Sequence, residues 1–246
     1  MKVLASDFDY TLYFDDHFNE SDLRKIKEFQ QDGNLFGICT GRQLAGLIQT
    51  IGNNFKPDFY ILSSGTHILD KDLNLIYEKS IDFNLIKEIY LKYKEEVNLV
   101  VHTLDASHFY CTNLEGEDYF THIKDIDEMK DYTIYSISFV ELEENRAIEI
   151  EEEIRRDYKQ VSVYQNNGCV DVVEKGCSKG EGINILKKLL NINEVSGIGD
   201  SYNDLPMLEM ARPSFTFHSS PDEVKKMVDY RVDSIKEAIE ILGEVH

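Results

Sequence analysis

The chain has 246 residues, enough for one large domain or two small ones, and 42% are hydrophobic, which supports a sizeable core and argues against global disorder. Lys and Arg total 26 against 46 Asp and Glu, a formal charge of −20, so nucleic acid and anionic membrane surfaces are poor partners for the whole molecule. A local basic pocket could still bind a small anion. The four cysteines, Cys39, Cys111, Cys169 and Cys177, are far apart with no CxxC pair. They indicate neither a disulfide scaffold nor a thiolate zinc site, and the expected compartment is a reducing cytoplasm. The opening run loses its apolar character at Asp7 and Asp9, so it reads as neither a signal peptide nor a span, and no later run reaches membrane length.

Lys2 to Ser6 reads as a buried parallel strand whose tip carries Asp7 and Asp9. Ser21 to Gln31 is a helix with one apolar stripe, stopped near Gly33. Asn34 to Cys39 is a second strand with Thr40-Gly41-Arg42 at its tip, and Gln43 to Ile51 a second helix. Phe59 to Leu62 is a third strand ending in Ser63-Ser64-Gly65, with a small hairpin, His67 to Leu69 and Leu73 to Tyr77, beside it. Strand and helix alternate as at the start of a doubly wound sheet.

The pattern then changes. Phe83 to Glu96 is an amphipathic helix, Val97 to Thr103 and His108 to Thr112 are strand-like around a turn at Asp105, and Ile123 to Lys130 is a short helix. Tyr132 to Val140 is the clearest strand in the chain. Glu143 to Tyr158 is an acidic helix, followed by Val161 to Gln165 and Cys169 to Val173 around Asn166-Asn167-Gly168. These elements make an α+β module with antiparallel strands. The α/β alternation resumes at Ser178 with a helix from Lys179 to Asn191, a strand from Val195 to Ile198, a helix from Asn203 to Ala211 and a strand from Ser214 to Phe217. Helices from Pro221 to Met227 and Ser234 to Leu242 end the chain. The expected fold is α/β, a doubly wound parallel sheet built from 1–79 and 175–246, with an α+β cap inserted over 80–174.

Four loops gather chemistry at strand tips or helix starts, where open α/β sheets bind ligands. Asp7 and Asp9 flank one turn, and Asp200 and Asp204 bracket another. Carboxylates crowded on one rim repel each other unless a cation is present, and oxygen ligands without His or Cys favour a hard metal such as Mg²⁺. Asp is also common in turns and caps, which would account for one such loop more readily than for two. Thr40, followed by Gly41, could offer a hydroxyl and a backbone N–H to a phosphoryl oxygen. Lys179 lies at a helix start, where a cation is unfavourable unless carboxylates or an anion compensate it.

Together these motifs make the chain resemble a haloacid dehalogenase superfamily hydrolase, and within it the Cof-type sugar-phosphate phosphatases with a large α+β cap. Asp7, Asp9 and Thr11 match the family's DxDxT, Thr40 its strand-ending hydroxyl, Lys179 its lysine after the cap, and Gly199, Asp200, Asn203 and Asp204 its GDxxND. Tyr10 stands where the family usually has Gly, a position that tolerates a side chain if φ is negative. Ser64-Gly65 replaces the common Asn-Gly.

The resemblance implies that Asp7 attacks phosphorus, that Asp9 is the acid and base, and that Thr40 and Lys179 assist. Thr40, Gly41, Arg42, Ser64 and Lys179 would bind substrate. Mg²⁺ would be held octahedrally by Asp7, the Asp9 carbonyl and Asp200, with Asn203 and Asp204 in support. Thr11 would cap its turn, and Arg42 is read as pairing with a rim acid or, less favoured, as reaching the substrate. His102, His108, Tyr110, Asn113 and His122 are possible specificity residues. The expected partner is a small phosphomonoester, a sugar or polyol phosphate, acted on by a monomer or weak homodimer. A phosphomutase is the first alternative and a catalytically silent binding protein the second. An acidic cap, with Arg146, Arg155 and Arg156 on or beside one helix, weighs against the mutase.

Overall fold

The structure, a computed structural model, describes residues 1–104, 108–110, 120–166 and 168–244. Expectations at Asp105, Thr112, Asn113 and Asn167 lie outside these residues, as do the side chains of His108 and Tyr110.

The chain begins with β1 (Val3–Ser6), buried throughout, and a small hairpin of β2 (Tyr13–Phe14) and β3 (His17–Phe18). α1 (Glu20–Gln31) is capped by Asn19, whose side chain accepts from Ser21 N, and buries Ile26 and Phe29. Next come β4 (Leu35–Cys39), α2 (Leu44–Ile51), β5 (Phe59–Leu62), β6 (His67–Asp70) and β7 (Leu75–Glu78). The middle stretch holds α3 (Phe83–Tyr93), β8 (Asn98–His102), β9 (His108–Tyr110), β10 (Phe120–His122), β11 (Ser136–Val140), α4 (Glu144–Asp157), β12 (Val161–Asn166) and β13 (Cys169–Glu174). The last part contains α5 (Lys179–Leu190), β14 (Ser196–Ile198), α6 (Leu205–Met210), β15 (Ser214–Phe217), α7 (Asp222–Lys226), β16 (Tyr230–Val232) and α8 (Ile235–Glu244).

One sheet of eight strands runs in the order β16-β15-β14-β1-β4-β5-β6-β7. β1 pairs in parallel with β4 on one side and β14 on the other, and the parallel pattern continues to β5 and to β16. The strand order therefore reverses at β1, which creates a crevice at the carboxyl ends of β1, β4 and β14. β6 departs, lying antiparallel to β5. The near-continuous apolar runs of β1, β4 and β5 fit strands covered on both faces.

The described residues divide into two compact units, one of Met1–Thr40, Ile51–Tyr77 and Ser178–His246, the other of Gly41–Thr50 and Glu78–Cys177. The second unit contains a sheet in the order β10-β9-β8-β11-β13-β12. Alternate residues of its strands, Leu99, Val101, Ile137, Phe139, Val170 and Val172, share a core with α3 and α4. Tyr93 meets Phe139 edge-on there, with ring centroids 5.1 Å apart. This sheet is antiparallel except for β9 and β10, which run parallel. The chain is thus an α/β fold with a doubly wound, largely parallel sheet and a second, smaller and mainly antiparallel sheet.

Several boundaries differ from the sequence reading. The strand expected from Tyr132 starts at Ser136, because Ile134 O accepts from Ile81 N and does not join the β8 ladder. The helix expected over Ile123 to Lys130 is a single 3₁₀ turn, Ile126–Met129, closed by an Asp125/Glu128 capping box. Among the described residues no helix is long and apolar enough to cross a membrane.

One buried carboxylate joins the two ends of the first unit. Asp22 on α1 is 4% exposed and its Oδ1 accepts from Lys236 N, in the first turn of α8, at 2.8 Å. Asp22→Ala should lower stability by about 1–2 kcal/mol, the cost of losing a helix cap. Asp22→Asn should lose less, because its amide oxygen can still accept. Urea midpoints measured for both variants check the order.

Candidate active site

Asp7 sits one residue past β1 and still belongs to the sheet, since its N–H donates to Ile198 O of β14 at 2.9 Å. The chain then folds back on Phe8, whose carbonyl accepts from Leu12 N and Tyr13 N at 3.0 and 2.9 Å. The Phe8 ring is fully buried and stacks on Tyr13 with centroids 5.5 Å apart. Tyr10 adopts φ 57°, contrary to the negative φ expected for a side chain there. Its N–H must reach Tyr13 O at 2.9 Å to close the turn, which forces the left-handed region that Gly enters without strain. Thr11 does more than cap the turn. Its buried hydroxyl bonds Asp200 Oδ1 at 3.0 Å and so ties the first loop to the fourth.

Lys179 is the first residue of α5, and the preceding Ser178 caps that helix by accepting from Glu181 N at 2.9 Å. The Lys179 ammonium lies 2.5 Å from Asp7 Oδ1 and 2.6 Å from Asp204 Oδ1, and the three side chains are 2%, 6% and 0% exposed. Asp204 Oδ2 accepts from the backbone N–H groups of Asp200 and Ser201 at 2.9 and 3.0 Å. Both Asp204 oxygens are therefore engaged, and that residue acts as a brace between Lys179 and the Gly199–Asp204 loop. Asp7, Asp200 and Asp204 each bring a carboxylate oxygen within 4.8 Å of the others.

Three carboxylates around one ammonium leave an excess of negative charge out of water. Burial, with Asp204 adding to it, raises the Asp7 carboxyl well above the usual range, although Lys179 opposes the shift. Asp200 is pushed up to about 6 by burial and by Asp204. Burial works to lower the Lys179 ammonium, yet Asp204 and Asp7 outweigh it and hold Lys179 above its ordinary value. A cation fits this surplus. Asn203 Oδ1 is also buried without a hydrogen-bond partner, which suits a water or a cation nearby.

The remaining expected residues divide. Asp9 is half-buried on the same tip as Asp7. Thr40 is buried, continues the sheet through its N–H to Ile61 O at 2.9 Å, and accepts from Ser64 N at 3.1 Å. Arg42 donates to Thr50 Oγ1 at 2.8 Å, a hydroxyl within its own segment. Gly41 and Arg42 group with the second unit. His102 bonds Ser138 Oγ at 2.8 Å, and His122 is exposed on β10. The β2–β3 hairpin after the first loop was missed. Its turn, Asp15-Asp16, takes φ 44° and 63° as a type I′ turn does, without the Asn-Gly or Asp-Gly pair that marks such a turn in a sequence.

Residues 4–239 fit the model of the haloacid dehalogenase-like hydrolases, and the chain belongs to that family. It is similar to YxeH of Bacillus subtilis, a provisionally named phosphatase, at 27% identity over 96% of this chain and 94% of that protein. It is also similar to YcsE of Bacillus subtilis, a 5-amino-6-(5-phospho-D-ribitylamino)uracil phosphatase, at 24% identity over 95% of this chain and 90% of the other. The fold matches that of the subclass IIB sugar phosphatase BT4131 with a TM-score of 0.83, at 20% identity over 100% of both chains.

The raised Asp200 carboxyl gives a signed prediction. Its folded value of about 6 exceeds the ordinary 3.8, so the metal-free folded state holds its proton longer than the unfolded chain does. Its favourable contribution is complete below pH ~4 and is lost as pH rises through ~6, up to about 3 kcal/mol. Asp200→Asn removes this dependence. In chelator, the variant should gain stability relative to the parent between pH 4 and 7, and Mg²⁺ should reverse the difference. Thermal melts across that range, with and without Mg²⁺, check it; parallel curves would contradict the assignment.

Proposed function

We propose that this protein is a Mg²⁺-dependent phosphomonoester hydrolase of the Cof-type subgroup, working through an aspartyl-phosphate and acting on small phosphorylated metabolites. The observation that carries the reading is the Asp7 carboxylate, held by Lys179 at the C-terminal tip of the central strand and facing Asp200. In this reading the inserted segment from about residue 80 to 174, which makes up most of the second unit, is the cap.

Asp7 would attack phosphorus through a carboxylate oxygen while the bond to the leaving oxygen breaks. Asp9 would protonate that oxygen, then take the proton of the water that hydrolyses the acyl phosphate. Lys179 and Thr40 would hold the non-bridging oxygens, with Gly41, Arg42 and Ser64 completing substrate binding. Asp7, the Asp9 carbonyl and Asp200 would hold Mg²⁺, with Asn203 and Asp204 in support. When bound, the cation supplies the positive charge that this cluster lacks and offsets charge on the phosphoryl group. Asp204 would act through Lys179, which it fixes at 2.6 Å.

A sugar or polyol phosphate is the favoured substrate class. YcsE is named for a phosphoribityl compound and BT4131 for sugar phosphates, and both align with most of this chain. The net charge of −20 disfavours polymeric nucleic acid. A mutase would need cationic cap side chains to retain a phosphorylated sugar. Here Arg146 pairs with Glu96, Glu149 and Glu153, Arg155 with Glu151, and Arg156 with Asp157. Those arginines are occupied within the second unit.

Phosphate release from a panel of phosphomonoesters should find its best substrates among sugar and polyol phosphates. EDTA should abolish turnover and Mg²⁺ restore it. Preference for phosphoprotein or nucleic-acid ends, or inactivity on the whole panel with Mg²⁺, would overturn the reading. Asp7→Asn should fold yet lose turnover by about 10³-fold or more, because an amide oxygen is a far weaker nucleophile. Activity within an order of magnitude of the parent would remove Asp7 from its role.

A further inference from the structure

The turn after β5 is strained as built. Ser63, Ser64 and Gly65 all have positive φ, at 45°, 55° and 88°. Two of the three carry a Cβ in a region that L residues avoid. Ser63 Oγ is in addition buried without a hydrogen-bond partner. Backbone of this kind persists only where its surroundings enforce it.

Two contacts enforce it here. Ser64 N–H donates to Thr40 O at 3.1 Å, which ties the turn to the tip of β4. Gly65 lies flat against Ser178, so close that a Cβ at Gly65 would stand 2.1 Å from the Ser178 carbonyl oxygen and 3.3 Å from its nitrogen. Ser178 caps α5, and Lys179 is the next residue. The same helical turn makes a second close approach, where a Cβ at Gly180 would stand 2.1 Å from Pro206 O. The backbone that carries Lys179 is thus located by direct contact with its neighbours, with no side chain between to absorb a shift.

We propose that the Ser63–Gly65 turn positions Lys179 against Asp7 and Asp204, with Gly65 as the determining residue. The left-handed path has two results. It directs the Ser64 N–H at Thr40, and it brings the Gly65 Cα onto the Ser178 peptide. One three-residue turn therefore sets the separation between the β4 tip and the first residue of α5. The kinetic consequence rests on the phosphoryl-transfer reading, whereas the geometric one does not. A Cβ at Gly65 must move Ser178, and with it an ammonium that now sits 2.5 Å and 2.6 Å from two carboxylates.

Gly33 supplies the control. Its φ is 81°, close to that of Gly65, and a Cβ there meets nothing within 4 Å. Gly33→Ala therefore imposes the same backbone strain without obstruction. Two readouts are taken on the parent, Gly33→Ala and Gly65→Ala. One is kcat and KM on the best substrate of the panel. The other is acetylation of Lys179 in the folded protein by a water-soluble acylating reagent, followed by peptide mass spectrometry, which needs no activity. Gly65→Ala should lower kcat about tenfold or more with KM changed far less, and should raise Lys179 acetylation several-fold. Gly33→Ala should match the parent in both, whatever its melting temperature. Raised acetylation in Gly65→Ala with no hydrolysis by any of the three proteins would uphold the positioning role and reject the phosphatase reading. Acetylation of Gly65→Ala equal to that of Gly33→Ala, or kcat within about twofold of the parent in an active enzyme, would overturn the proposal.

Discussion

The Lys179 ammonium, buried between Asp7 and Asp204, is the interaction on which the rest of the site depends. An ammonium out of water is tolerable only when carboxylates compensate it, and breaking one side of such a pair leaves a charge without a partner. With Asp200 beside them, the group is over-compensated: three carboxylates stand against one cation. The site is therefore incomplete as protein alone, and burial, with the neighbouring Asp204 charge adding to it, raises the Asp7 and Asp200 carboxyls. Asp204 withstands its position because each of its oxygens is bound, one by Lys179 and the other by two backbone N–H groups.

The fold brings these charges together through strand order. Asp7 follows β1, Thr40 follows β4, and Gly199–Asp204 follows β14, and these three strands are neighbours at the point where the sheet reverses direction. Lys179 enters from the start of α5, the first helix after the chain returns from the second unit. A long excursion through the other unit is compatible with a Lys179 ammonium 2.5 Å from Asp7 Oδ1 because the re-entry point makes close backbone approaches at Gly65 and Gly180. Those contacts come from glycines and a strained turn, which are features of the local chain and not of the distant insertion.

Much of this was legible in the sequence for a physical reason. Strands covered on both faces are written as continuous apolar runs, so a polar residue ending such a run marks a strand tip. Asp7, Thr40 and Asp200 were found that way, and Lys179 by its unfavourable place at a helix start. What could not be read were properties fixed by partners rather than by pattern. The φ of Tyr10 is decided by its hydrogen bond to Tyr13 O. The strand that seemed to start at Tyr132 starts at Ser136 because Ile134 bonds elsewhere. β16 escaped notice because Tyr230 and Arg231 are exposed and give an edge strand no apolar signature. The way Asp204 is held was hidden as well, since only the three-dimensional arrangement shows one of its oxygens accepting from Lys179 and the other from two backbone N–H groups.

The central claim is that Asp7 is the group that takes the phosphoryl. The most direct test uses Asp9→Ala, in which the hydrolysis of an acyl phosphate should be slowed more than its formation. That variant is mixed with the best substrate and Mg²⁺, quenched in acid within the first turnover and digested for peptide mass spectrometry. The account predicts a phosphoryl group on the peptide that carries Asp7, absent when Asp7→Asn is added to the same chain. Phosphoryl on any other residue, or turnover without a phosphorylated protein at any time point, would contradict it.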